Sequence, residues 1–373
     1  MASALRKVLV WALLCGYAFA QSPLEQAVVL AQQRRYREAD KILQHATAPT
    51  DIRQRIAFYR LKAAVAAGLH DNAGAVRDVR AALMLAPENT GLLLATAVAE
   101  LQDGQLDDAL KHATKAGNVP MAQALIGKVQ EHRGDHRAAA KAYEAAVALA
   151  PEREDYRIAL AFQLMQQPDF APAIAMLQQT APLFPKSAKL RTLLGIAQYA
   201  AGYNNEAIAA LSDAIALDPQ MDSAYQCLTQ IVLQSSAAPS PAVVKALCTW
   251  SRVVCSALQL RVARETHNAA LTAEAVAGLE RAPRNDAIGT CELARAYEWE
   301  NGAARARHAM ERCVRLDPSP QNHYRLGMLY RKLGLTALAH EQMELRAKAT
   351  EQMSEQTAAW LKSLQKSSSA SRE

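Results

Sequence analysis

Proline recurs along this chain at Pro87, Pro120, Pro151, Pro185 and Pro219, and again at Pro283 and Pro318, at intervals near 34 residues or about twice that. Proline has no amide hydrogen to give and clashes inside a helix, so a periodic proline is a periodic helix stop. A repeat of this length predicts a solenoid, in which each unit buries its apolar face only against its neighbours. The composition fits helices: 51% of residues are hydrophobic but only 5% are aromatic, so the apolar mass is mostly Ala and Leu.

The stretch from Ala188 to Pro219 displays the unit most fully. Leu194-Gly195 falls in a first helix, Gly202 at a turn, Ala207, Leu211 and Ala214 along a second helix, and Leu217-Asp218-Pro219 at its end. Gly195 and Ala207 let two antiparallel helices approach closely, the leucines fill the space beside them, and Gly202 permits the reversal. The skeleton recurs as Gly127, Gly134, Ala139, Tyr143 and Pro151, and as Ala294, Tyr297, Ala306, Met310 and Pro318. A further copy is Leu326-Gly327, Tyr330, Gly334, Ala339 and Met343.

These residues resemble the tetratricopeptide repeat, a helix-turn-helix unit. The resemblance implies an all-α fold, an α-α superhelical solenoid of about ten units over residues 22–353, closed by a C-terminal capping helix over 354–366. Thr350 to Lys366 reads as continuous helix with Met353, Thr357, Trp360, Leu361 and Leu364 on one stripe, which suits covering the last unit's apolar face. Residues 367–373 read as a tail. The pattern is degenerate over 235–286: a Ser-Ser-Ala-Ala-Pro-Ser-Pro run replaces the short turn, and no Gly or Pro marks a boundary from there to Asn268.

The N-terminus places Arg6 and Lys7 before an apolar run from Val8 to Phe19 and an Ala18-Phe19-Ala20 tripeptide, the pattern of a secretory signal peptide over 1–20 cleaved after Ala20. Lipidation at Cys15 is disfavoured by Leu14 immediately before it. The expectation is an exported protein, periplasmic or extracellular, with no membrane span, since no later run has the required length.

Charge and motifs exclude several function classes. The formal net charge is +6, and +4 without Arg6 and Lys7, too even to predict a nucleic-acid partner. Gly127-Lys128 is no phosphate loop, because Ala122 stands at the first glycine position and Val129 replaces the hydroxyl residue. His132 and His136 flank the turn at Gly134 and so do not share a helical face. His308, Cys313, His323 and Cys291 match no zinc spacing. The expectation is therefore no cofactor, no metal and no catalytic residue.

The resemblance assigns partner binding to the concave face, lined by each unit's first helix. Carried over by position, an apolar groove would comprise Ile158, Phe162, Met165, Thr192, Ile196, Tyr199, Leu228 and Ile231. A basic end would comprise Arg261, Arg264, Arg295, Arg325, Arg331 and Lys332. The competing reading of both sets is packing between units or a solvated charged face. A protein or peptide partner with an apolar stretch and an acidic segment would complement such a surface. The Lys and Asn clamp of chaperone-binding relatives is absent, Arg60, Ala64, Ala124 and Lys128 standing there instead. The function expected is a protein-interaction scaffold in envelope assembly, secretion or polysaccharide export. Alternatives are a carrier of a lipid or small apolar ligand in the superhelical lumen, or an enzyme without a recognisable motif. Oligomeric state is not legible.

An oxidising compartment would make the five cysteines after the leader candidates for bridging. Positions of one unit whose numbers sum to about 32 face each other across the turn, which pairs Cys291 with Cys313 and, with the longer turn looped out, Cys227 with Cys248. Cys255 is expected to be free, because seven residues along a helix rise about 10 Å, beyond disulfide reach. The competing reading keeps all five as small core residues.

Overall fold

The computed structural model describes residues 23–234, 239–300 and 302–351. The signal peptide expected over 1–20, the capping helix expected over 354–366 and the tail over 367–373 lie outside the described residues. Among the described residues every regular element is a helix, and none is long and apolar enough to cross a membrane. The contacts divide the chain into two units, one ending at Tyr156 and the other beginning at Arg157.

The first unit stacks four antiparallel pairs. They are α1 (Pro23–Gln32) with α2 (Tyr36–His45), α3 (Ile52–Gly68) with α4 (Asn72–Leu85), α5 (Thr90–Gln102) with α6 (Leu106–Lys115), and α7 (Pro120–His132) with α8 (His136–Leu149). Short polar side chains start these helices. The Asp51, Asp71, Asn89 and Asp135 side chains accept the backbone amides of Gln54, Gly74, Leu92 and Ala138, satisfying donors that the helix itself leaves open. Pro120 occupies the first turn of α7, where its missing amide costs nothing.

The core between paired helices is built from alanines and a few large residues. Tyr143 of α8 is fully buried, and a Cβ placed on Gly127 of α7 would meet its ring at 3.0 Å, so the missing side chain is what admits the tyrosine. The phenol keeps a partner by donating to Glu131 Oε2 at 3.3 Å.

A charged network ties two pairs of this unit. Glu100 of α5 is buried, accepts two hydrogen bonds from Arg80 of α4 at 2.8 and 2.6 Å, and lies 2.7 Å from His112 Nδ1 of α6. Arg80 also donates to Asp108 at 2.6 Å. A buried carboxylate held this way fixes the register of three helices.

The second unit takes up α9 (Glu154–Met165), from Arg157 onward, and α10 (Ala171–Thr180). There follow α11 (Ala188–Ala200) with α12 (Asn204–Leu217), α13 (Asp222–Gln234) and α14 (Pro241–Trp250), α15 (Arg252–Glu265) with α16 (Ala269–Glu280), and α17 (Ala287–Trp299) with α18 (Ala303–Leu316). The last pair is α19 (Pro320–Lys332) and α20, over 336–351. Gly195 of α11 faces Leu211 of α12 sixteen residues on, as Gly127 faces Tyr143, which makes the close contact a property of the repeat.

The degenerate region contains a boundary the sequence pattern does not mark. The seven-residue step from Cys248 to Cys255 is not continuous helix: Ser251, at φ −143° and ψ 122°, is extended, ends α14 and caps α15 by accepting the Val254 amide. The helix α14 touches α13 only lightly along its length. Their link is made at one end, where Tyr225 and Trp250 stack at 5.2 Å and Trp250 Nε1 donates to Asp222 at 3.0 Å.

Candidate functional site

All of the residues expected to form a site fall in the second unit. The expected apolar groove takes its residues from α9, α11 and α13. Here the structure corrects the sequence reading: Ile158, Phe162, Met165, Thr192, Ile196, Leu228 and Ile231 are buried, Leu228 completely. Their side chains pack helix against helix and are not presented to a ligand. The Thr192 hydroxyl is spent on the Ala188 carbonyl at 2.9 Å. Tyr199 is half-buried, its hydroxyl donates to Gln234 at 2.8 Å, and burial raises its pKa. First-helix positions are shared between the own pair and the next, so an apolar residue there is consumed by stacking.

The basic residues lie on α15, α17 and α19, the first helices of the last three pairs, and they divide into two kinds. Arg264, Arg331 and Lys332 are exposed, with Arg264 standing over the Trp299 ring at 5.7 Å. Arg261, Arg295 and Arg325 are half-buried. Arg261 donates to Glu265 at 3.1 Å and to the Val232 carbonyl at 2.7 Å, so it joins α15 to the end of α13.

Arg295 pairs with Glu292 one turn before it on α17, with 17% and 11% of the two side chains exposed. Burial raises the Glu292 carboxyl above its ordinary value, against the opposing pull of Arg295, Arg325 and Arg264. Burial likewise lowers Arg325, and the like charge of Arg295 adds to the effect. Arg295 Nε is buried and has no hydrogen-bond partner. Arg295 is thus paired with a buried carboxylate, a contact that sequence position alone did not single out because burial is not written in residue type.

The cysteines are arranged differently from the sequence expectation in one respect. Cys291 of α17 and Cys313 of α18 are bonded, with Cα atoms 4.7 Å apart, where the antiparallel pair places facing positions. Cys248 is bonded to Cys255, not to Cys227, with Cα atoms 4.4 Å apart. The 10 Å helical rise does not apply because the backbone turns at Ser251. Cys227 is the free one, buried in α13, and burial pushes its thiol up to about 12, which keeps it protonated and poorly nucleophilic.

The remaining candidates are occupied structurally. His323 Nδ1 lies 2.8 Å from Gln342 Oε1, and His308 lies 3.8 Å from Glu311. Among the described residues no three His, Cys, Asp or Glu side chains gather as a metal group would require. Gly127 sits under the Tyr143 ring, within a helix contact and not in a loop open to phosphate.

The family model of the tetratricopeptide repeat matches residues 122–153, which contain α7 and α8. Among curated proteins no sequence matches. Similar solved structures include the C-terminal part of a repeat-containing protein of this kind from Cytophaga hutchinsonii, 16% identical, covering 70% of this chain and 95% of that one at a TM-score of 0.48. Another is a tetratricopeptide repeat protein from Parabacteroides merdae, 14% identical, covering 78% and 98% at a TM-score of 0.43. A third is YrrB, described as having an unusual peptide-binding site, 16% identical, covering 47% and 91% at a TM-score of 0.40.

Proposed function

We propose, from the premise that this chain is a tetratricopeptide-repeat protein, that it is an exported scaffold which holds a polypeptide partner against the basic face of its last three helix pairs. Such proteins are typically non-enzymatic scaffolds, and their fold suggests protein or peptide partners. The observation that carries the reading is the row of basic side chains on successive first helices, Arg264 on α15, Arg295 on α17, and Arg325, Arg331 and Lys332 on α19. Successive units repeat a position at a fixed interval, so charges on equivalent helices form a track suited to an extended acidic segment. The apolar side chains of α9, α11 and α13 do not join this surface, being used in packing. The signal-peptide pattern supports a partner in the cell envelope or beyond, in envelope assembly, secretion or polysaccharide export.

The test is affinity capture from the native envelope with the wild-type protein and with an Arg264→Glu, Arg331→Glu double variant. Both residues are exposed, so the exchange leaves the fold intact. The expected result is a polypeptide retained by the wild type and lost from the variant, with the difference narrowing as salt screens the exposed charges. Equal retention of the same polypeptide by both forms would place the interface elsewhere.

A further inference from the structure

The two disulfides of this chain differ in what they hold. Cys291 and Cys313 are buried and join the facing helices of one pair. Cys248 and Cys255 are half-buried, seven residues apart, and belong to helices that the chain already joins through Ser251. Such a bond brings no distant elements together; it fixes the angle between α14 and α15. The extended Ser251 ends α14 by donating its amide to the Leu247 carbonyl at 2.9 Å, and starts α15 by accepting the Val254 amide at 3.3 Å. No glycine or proline imposes the corner, since residues 242–265 contain neither. Apart from the bond, α14 has few ties. It is ten residues long and buries only Val243 and Leu247. It touches α13 lightly, through the Tyr225 and Trp250 stack and the bond from Trp250 to Asp222 at one end. A helix of this length released into water does not persist by itself, because too few hydrogen bonds offset the cost of its nucleus.

We propose that the Cys248 to Cys255 bond is a redox latch: closed, it holds α14 at the angle that docks it on α13, and opened by a dithiol reductant it lets α14 undock and melt while the rest of the fold stays intact. A thiolate of the reductant attacks one of the two sulfurs, forming a mixed disulfide, and the other cysteine leaves as a thiolate that takes up a proton. The second thiol of the reductant then attacks the mixed disulfide. The reductant departs as a disulfide, and the two cysteines have gained two electrons and two protons. Undocking lifts Trp250 from the Tyr225 ring and releases Asp222 in the first turn of α13. Burial shields the bond between α17 and α18 from the same reagent. The latch is independent of the polypeptide-scaffold reading above.

The experiment is hydrogen exchange read by mass spectrometry on the exported full chain, before and after dithiothreitol at a dose where alkylation finds Cys248 and Cys255 newly freed and Cys291 and Cys313 still bonded. Peptides within 242–250 report on α14, and peptides within 287–316 report on α17 and α18. Reduction is expected to speed exchange over 242–250 by about tenfold or more, because the opening of α14 no longer works against a closed loop, and to leave 287–316 unchanged. Reoxidation should restore the slow rate. A Cys248→Ser, Cys255→Ser double variant should exchange fast without reductant and should not respond to it. Should that variant fail to fold, the reduced wild type carries the test by itself. Unchanged exchange over 242–250 once the bond is open overturns the latch. Equal acceleration over 287–316 also overturns it, since the whole unit would then be loosening, as does the lack of any dose that opens one bond without the other. None of these results touches the capture experiment, which tests the scaffold reading by itself.

Discussion

Cys248 and Cys255 belong to two different helices, although no glycine or proline separates them, and their Cα atoms stand 4.4 Å apart across the extended Ser251. The bond and the break require each other, since the same two residues on one continuous helix would be separated by about 10 Å. Both cysteines are half-buried, whereas Cys291 and Cys313 are buried. Under graded reduction, mapped by alkylation and peptide mass, the Cys248 to Cys255 bond should open first. On loop-closure entropy, its removal by a double serine exchange should cost about 2.5 kcal/mol, against about 3.4 kcal/mol for the bridge between α17 and α18, which closes the longer loop. Simultaneous opening of both bonds would contradict the difference in burial.

Gly195→Ala should destabilise the protein even though alanine is the better helix former. The new methyl group would lie 2.6 Å from Leu211 Cγ and 3.2 Å from the Ala207 carbonyl. Overpacking of this kind costs about 1–3 kcal/mol, read as a lower urea midpoint at unchanged slope. Leu211→Ala alone should cost about 2–5 kcal/mol, and the two together should cost less than their sum, because the methyl group enters the space the leucine leaves. Strict additivity would show that the two sites do not share that space.

Arg80→Ala in the first unit should cost about 3 kcal/mol, since it leaves the buried Glu100 carboxylate with His112 alone. The figure lies at the low end for such a pair because 38% of the Arg80 side chain is exposed. Glu100→Gln should cost less, the amide oxygen still accepting from Arg80. Thermal or urea unfolding of both variants decides the order, and a costlier Glu100→Gln would mean that Glu100 carries more than its ion pairs.

Glu292 gives the protein a pH signature. Its carboxyl is raised by burial in the folded state, so the folded chain binds its proton more tightly than the unfolded chain does. The stability tied to this group is therefore complete below the ordinary glutamate range and is lost as pH rises through the raised folded value. Glu292→Gln removes that loss: its unfolding midpoint should exceed the wild type's at neutral pH, and the gap should close toward pH 4. A gap that widens in acid would reverse the assignment.

The legible part of this fold was its periodicity. Gly202, Gly134 and Gly334 mark turns from the sequence, and each adopts a positive φ, at 85°, 76° and 77°. The same turn is made at Arg34, His70 and His267, with φ of 58°, 62° and 52°, and there no glycine gives it away. Ser251 was missed for a related reason: serine is common in helices, and its capping role appears only once the Val254 amide is seen to need a partner. The apolar groove was misread because sequence position tells which helix a residue occupies but not whether the next pair covers it. Leu228 and Ile231 are covered. The basic residues were legible as arginines, while the burial of Glu292 beside Arg295 was not, since helix surfaces carry many glutamates and burial has no signature in one chain.

The light contact between α13 and α14 has a mechanical meaning. Neighbouring pairs in this unit, α11 with α12 and α15 with α16, are zipped along their lengths, so they resist separation as blocks. The seventh is held chiefly at one end by the Tyr225 and Trp250 rings and the bond to Asp222. Under tension a chain extends where the fewest contacts must break at once. Peeling α14 from α13 is then an extension this unit allows easily, and the bond from Cys248 to Cys255 hands the load on to α15 without letting the turn at Ser251 open. Among the described residues the joint between α13 and α14 is thus compliant, bounded on its far side by a covalent stop.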